Sequence, residues 1–254
     1  MKPQIKLATT RTPDGGEMEL YQHDRDFSIQ INGLELMNSR QHESERELAR
    51  LGCAHLAGRH APCVLVGGLG MGYTLRQALD MLPADASVVV SELMPAVVDW
   101  NRRYLGQLNG QPLDDTRTEL ITGDIVKLLS QSIDRFDAIL LDVDNGPSAM
   151  TDSGNHRLYG PAGIVACRRA LRSRGSLAIW STEPSKTFES LLMGCGLQVR
   201  RYRGKAYQGS NAKKLFIWVA AEDETILPPG GGEPFLPARK KPKAGGKRPR
   251  GKRS

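Results

Sequence analysis

Residues 64–72, Val-Leu-Val-Gly-Gly-Leu-Gly-Met-Gly, leave few folds open. A short continuous apolar run that meets a glycine-rich turn and then a helical pattern is a buried strand, a tight turn and a helix. A second run, Phe136-Asp137-Ala138-Ile139-Leu140-Leu141, ends in Asp142 and Asp144 ahead of Asn145-Gly146-Pro147. Strands that lack polar alternation are buried on both faces, as in a parallel sheet covered by helices. Both runs would then finish at one carboxyl edge, where open α/β sheets bind ligands.

The same alternation continues from Cys63 to Ala221. Strands are expected at 63–67, 87–91, 118–121, 136–142, 175–181, 197–203 and 215–221, with helices at 73–82, 94–104, 124–132, 157–173 and 184–194. This predicts an α/β, Rossmann-like, doubly wound and mostly parallel sheet. Before it, residues 1 to about 40 read as short antiparallel strands. Met18-Glu19-Leu20-Tyr21 and Phe27-Ser28-Ile29-Gln30-Ile31 alternate, Asn32-Gly33 is a hairpin turn signal, and Leu34-Glu35-Leu36-Met37 is the return strand. A helix is expected from Ser39 to Ala57, with Ser39 as its N-cap. The expected division is a β-hairpin region with a linking helix at 1–60, the doubly wound domain at 61–227 and a basic tail at 228–254.

The tail explains the charge. Of the formal +7, nine Lys or Arg and one acid, Glu233, lie after Leu227, so the remainder is close to neutral. With little to bury, this segment is expected to be disordered and to associate weakly with nucleic acid or another acidic surface. The cysteines, Cys53, Cys63, Cys167 and Cys195, have no metal-type spacing and read as small hydrophobes. Met1 to Gly16 has no signal-type apolar core and no run reaches membrane-spanning length, so the cytoplasm, with no membrane partner and no metal, is the default expectation.

Gly67, Gly68, Gly70 and Gly72 permit a tight turn and close approach of backbone to a ligand. Glu92 closes the second strand 20 residues after Gly72, placed to accept hydrogen bonds from ribose hydroxyls. Together they point to a nucleoside. A dinucleotide fits this much, but the acids that follow argue against it. Asp124, after the third strand, is placed either to accept from an adenine amine or to cap the next helix. Asp142 is a candidate general base or a partner for a cationic amine, and Asp144, the next acid on, is a candidate for the substrate side. His156 and Tyr159 are candidates to line the substrate side, against the plainer readings of an exposed histidine and a packing tyrosine.

In this order of signals, over roughly residues 18 to 221, the chain resembles the spermidine synthase (polyamine aminopropyltransferase) family of the class I S-adenosylmethionine-dependent methyltransferase fold. The resemblance implies a nucleoside site built from Gly67 to Gly72, Glu92, Asp124 and Asp142, with Asp142 taking the proton from an attacking amine and Gly146-Pro147 following it. It also implies a homodimer. Polyamine-making members carry an Asp inside the glycine loop, where this chain has Gly70-Met71, and a Tyr and a Gln on the first helix, which the stretch His42 to Glu47 lacks. Acids at Glu43, Glu45 or Asp144 are the available substitutes.

Three functions follow as expectations. The first is a transferase moving an aminopropyl or methyl group from decarboxylated or intact S-adenosylmethionine to a small amine. The second is a methyltransferase acting on a macromolecular nucleophile, protein or RNA. The third is a nucleoside-binding protein without catalysis.

Overall fold

The protein is described from a computed structural model, which covers residues 3–143, 147, 156–204 and 215–232. Its strands form two sheets. β1 (Ile5–Arg11), β2 (Glu17–His23), β3 (Asp26–Ile31) and β4 (Leu34–Asn38) make an antiparallel sheet in sequence order. The second sheet has seven strands in the order β10-β11-β9-β8-β5-β6-β7. These are β5 (Cys63–Gly67), β6 (Ser87–Glu92), β7 (Thr118–Thr122), β8 (Phe136–Leu141), β9 (Leu171–Ser181), β10 (Gln198–Gly204) and β11 (Leu215–Ala221). β5 through β9 pair in parallel, whereas β11 runs antiparallel between β9 and β10.

Period-2 alternation along the buried strands divides the interior into two layers. Val64, Val66, Val88, Val90 and Leu140 face α1 (Glu43–Gly52), α2 (Tyr73–Met81) and α3 (Pro95–Trp100), and this layer also takes in Leu20 and Ile29 of the small sheet. Leu65, Val89 and Ile139 face the other way, toward α4 (Ile125–Ser130), α5 (His156–Tyr159), α6 (Pro161–Ala170) and α7 (Lys186–Gly194). No helix among the described residues is long and apolar enough to cross a membrane.

Several expectations are corrected. Ser39 does not cap α1, which begins four residues later with no side-chain cap; its hydroxyl instead accepts from Phe27 N at 2.9 Å, tying down the end of β4. The helix expected over 157–173 is broken at Gly160, ahead of Pro161, and ends at Ala170 because Leu171 already pairs with Phe136 in the sheet. The helix expected over 94–104 is α-helical only to Trp100 and continues as a π-helical turn, Asn101–Leu105. Residues 228–232 are not loose: Tyr202 Oη donates to Pro228 O at 2.6 Å and Gly232 N to Arg201 O at 2.7 Å. The rest of the basic tail, like Asp144, Asn145 and Gly146, lies outside the described residues.

Candidate active site

At the carboxyl edge, the glycine loop leaves β5 between its two neighbours and is stitched to both. Gly68 N donates to Ser91 O and Asp142 N donates to Gly67 O, each at 2.9 Å. Gly68 has φ +89°, and a β-carbon there would overlap the carbonyl oxygen of Asp142, so only glycine lets the two loops touch. Beyond the turn, Asn101 Nδ2 donates to Gly70 O at 2.8 Å and Asn109 Nδ2 to Met71 O at 2.7 Å. The π-helical turn starts at Asn101, whose amide also reaches Val97 O at 2.9 Å. Such turns are frequent at functional sites.

Glu92 is buried at the end of β6. Its Oε2 accepts from Leu69 N at 2.9 Å and its Oε1 from Met94 N at 2.8 Å, so the carboxylate holds the glycine loop against the start of α3. Burial pushes its pKa up and these backbone donors oppose the rise. The backbone amides of Gly70 and Leu93 also face the carboxylate. Asp124 is the N-cap of α4, with Oδ1 accepting from Val126 N at 2.8 Å, and its other oxygen lies 3.5 Å from Arg157 Nη1. The helix-cap reading therefore holds, and the second oxygen remains at the rim. Gly68, Gly70, Glu92, Asp124, Ile125 and Asp142 border one cavity of about 390 Å³.

Gly70 and Asp142 also border a second cavity of about 280 Å³, enclosed by Met37, Glu45, Tyr73 and Trp180. Asp142 follows β8 directly and Thr74 Oγ1 donates to its Oδ2 at 2.7 Å. Burial of its carboxyl pushes the pKa up to about 6, against the pull of Thr74. Glu45 comes from α1. Its pKa is pushed up to about 8, first by burial of the carboxyl and then by the charge of Asp142, with the Ser44 hydroxyl opposing. α1 is held by Leu48 and Ala49 in the core and by Ser176 Oγ donating to Gly52 O at 2.7 Å, which fixes where Glu45 stands. Tyr73 stacks on His42 with ring centroids 4.2 Å apart and donates to Ser39 O at 3.2 Å, closing the side of this cavity.

The candidates thus separate. Gly68, Gly70, Glu92, Asp124 and Asp142 meet at one cavity, whereas Gly67 packs against Ile125 and Leu141 and Gly72 against Asn101 and Asn109. Tyr159 does not face it: the side chain is fully buried, its hydroxyl donates to Val143 O at 3.1 Å and its ring meets Phe188 edge-on, so it props the loop after β8 from the core. Asp144 and the side chain of His156 lie outside the described residues. Thr74, Asn101 and Asn109 were not singled out from the sequence, because a lone Thr or Asn at a helix end carries no local signal of what it will touch.

A parallel sheet reversing direction at β5, with a glycine loop and acids after successive strands, defines the Rossmann-like class I methyltransferase type of fold. Residues 50–187 match the spermine/spermidine synthase domain. The chain belongs to that family. Among curated proteins, it is 30% identical over 126 residues to a polyamine aminopropyltransferase of Saccharolobus islandicus (strain Y.N.15.51 / Yellowstone #2), a match covering 50% of this chain and 40% of the relative. It is 32% identical over 123 residues to that of Escherichia coli O81 (strain ED1a), covering 46% and 42%. The matches thus span well under half the length of these relatives. The spermidine synthase of Thermotoga maritima superposes with a TM-score of 0.70 at 17% identity, covering 88% of this chain and 75% of that one. A spermidine synthase in complex with the transition state analogue AdoDATO gives the same TM-score over 88% and 76%. At that identity the likeness speaks for the fold.

Proposed function

We propose that this chain transfers an aminopropyl group from decarboxylated S-adenosylmethionine to an amine. The observation that carries the reading is the place of Asp142: its carboxyl stands at the junction of the two cavities, with a pKa pushed up to about 6. A carboxylate so placed is mostly ionised at neutral pH and still more basic than an exposed one, which suits a proton acceptor. The family membership and the aminopropyltransferase names of the curated relatives point the same way.

The first cavity suits the nucleoside by the chemistry of its lining. Glu92 offers a carboxylate to a ribose diol, Asp124 an outward oxygen to an exocyclic amine, and Met94, Val97 and Ile125 an apolar bed for a base. Gly68 and Gly70 present backbone where a side chain would stand in the way. When bound, the decarboxylated nucleoside supplies a sulfonium whose propyl carbon is electrophilic. The chain's own work is then to align an amine beside Asp142, to take one proton from its nitrogen onto the carboxylate and to keep water away, so positioning carries most of the rate. Thr74 fixes the carboxylate for that transfer.

The test is incubation of purified protein with decarboxylated S-adenosylmethionine and a short aliphatic diamine, followed by mass spectrometry. Aminopropylated amine and methylthioadenosine should appear in equal amounts. Transfer of methyl from intact S-adenosylmethionine instead would overturn the reading in favour of a methyltransferase. Binding of either nucleoside without product would make this a binding protein.

A further inference from the structure

Three glutamates lie on α1, and they divide between two faces. Glu43 and Glu47 turn to Arg50, whose Nη1 stands 2.8 Å from one carboxylate and 3.1 Å from the other. Glu45 shares its face with Leu48, Ala49 and Gly52, the buried positions three, four and seven residues on. An acid on the apolar face of a helix is directed at the interior, and here it meets the cavity shared with Asp142. No Lys, Arg or His among the described residues stands within ion-pair distance of Glu45; the Ser44 hydroxyl donates to it and Arg46 acts on it only at longer range.

Two carboxyls bordering one partly enclosed cavity, with no cation among the described residues paired to either, is a costly arrangement. An ammonium group relieves both. The rest of the wall is apolar, with Met37, Leu69, Met71, Trp180 and Leu215 suited to a methylene stem. The glycine loop itself contributes no acid between Gly67 and Gly72, so charge on this side of the cavity has to come from α1.

We propose that Glu45 is the specificity-determining residue for the acceptor: it receives the ammonium of a short alkyl amine whose nitrogen is presented to Asp142. This rests on the transferase reading above. The incoming ammonium gives one proton to Asp142, the free amine forms its new bond to carbon as the carbon–sulfur bond breaks, and the electron pair leaves on the neutral thioether. Once the ammonium is in place beside it Glu45 is anionic, balancing the positive nitrogen before and after transfer. The same charge repels an acceptor that carries a carboxylate, so alkyl amines are taken and the corresponding amino acids refused.

The test compares wild type with Glu45→Gln by calorimetric titration of putrescine and of 4-aminobutyrate into protein saturated with methylthioadenosine. Methylthioadenosine is neutral and reports the nucleoside cavity alone. The expected result is unchanged methylthioadenosine affinity, putrescine binding weakened on the order of 10- to 100-fold, and a preference for putrescine over 4-aminobutyrate that shrinks by a similar factor. Where turnover is measured, KM for the amine should rise far more than kcat falls. Putrescine affinity equal in the two proteins, or no putrescine binding by wild type, overturns the role of Glu45. Failure of wild type to bind methylthioadenosine overturns the transferase reading instead.

Discussion

If Asp142 is the base of the proposed transfer, Thr74 should set the pH range over which it takes a proton. Thr74→Val keeps the shape of the side chain and deletes the hydroxyl that sits 2.7 Å from Asp142 Oδ2. Thr74 is only 2% exposed, so water has little room to replace the lost donor. A hydrogen bond to a charged group is worth about 1.5–3 kcal/mol, and one pKa unit corresponds to about 1.4 kcal/mol. The carboxyl, already pushed up to about 6 by burial, should therefore rise by a further ~1–2 units. At pH 7 the ionised fraction would fall from about nine-tenths to between about half and a tenth. The acidic limb of kcat/KM moves up by the same amount, with the loss recovered by about pH 9. Thr74→Ser keeps a hydroxyl and should lie close to wild type. The assay is kcat/KM for aminopropyl transfer across the pH range, with methylthioadenosine affinity as the control. Superimposable profiles for wild type and Thr74→Val would refute the reasoning, since either Asp142 is not the titrating base or Thr74 does not tune it.

Other perturbations probe the neighbouring parts. Asp142→Asn should lower turnover by roughly 10²–10⁴-fold while methylthioadenosine still binds; near-normal turnover removes Asp142 as the base. Gly68→Ala forces a side chain onto φ +89° and against the Asp142 carbonyl, so a thermal scan should show a loss of about 1–3 kcal/mol together with weakened nucleoside binding. Asn101→Leu deletes the donor to Gly70 O, and at about 1 kcal/mol per lost bond nucleoside affinity should drop roughly fivefold in an equilibrium titration. Glu45 and Asp142 both have folded-state pKa values above their ordinary ones, to about 8 and about 6. The folded state then holds more protons than the unfolded one, and stability falls as pH rises from the ordinary carboxylate range toward 8. Glu45→Gln should flatten that decline, so its melting temperature relative to wild type increases between about pH 5 and pH 8; parallel curves would mean that the two carboxyls are not in contention.

The parts of the fold that were legible in the sequence are those whose signal is local. The runs 64–66, 88–90 and 138–141 are buried on both faces, and nothing but a central strand accommodates them. The glycine loop declared itself because a backbone that must approach Asp142 and turn through positive φ has one solution in side-chain terms. What the sequence concealed depends on partners distant along the chain. Ser39 looks like a cap until β3 offers Phe27 N to its hydroxyl. Tyr159 is open between lining and packing until the underside of the β8 loop and Phe188 are placed around it. The long helix expected before Trp100 and after it gives way to a π turn because Asn101 is drawn to Gly70, 31 residues earlier.

Glu45 stands between these cases, and the reason is physical. Its position on the apolar face of α1 is readable from spacing alone, since residues 45, 48, 49 and 52 follow the helical period and three of them are small or apolar. An acid in that row demands a partner. The spacing of Glu43, Glu47 and Arg50 supplies a partner for the other two glutamates on the opposite face and none for this one. What spacing does not reveal is that α1 crosses the sheet beside Asp142, because that depends on Gly52 packing against Leu140 and on Ser176 holding the helix end, contacts that span 88 and 124 residues. On the proposed role of Glu45, the acid that the glycine loop lacks is supplied from another element. Reading acceptor chemistry in this chain from the loop alone would miss it, and a substitution confined to the loop, such as Gly70→Asp, should add a third carboxyl to a cavity already short of positive charge and weaken the apoprotein before any ligand binds.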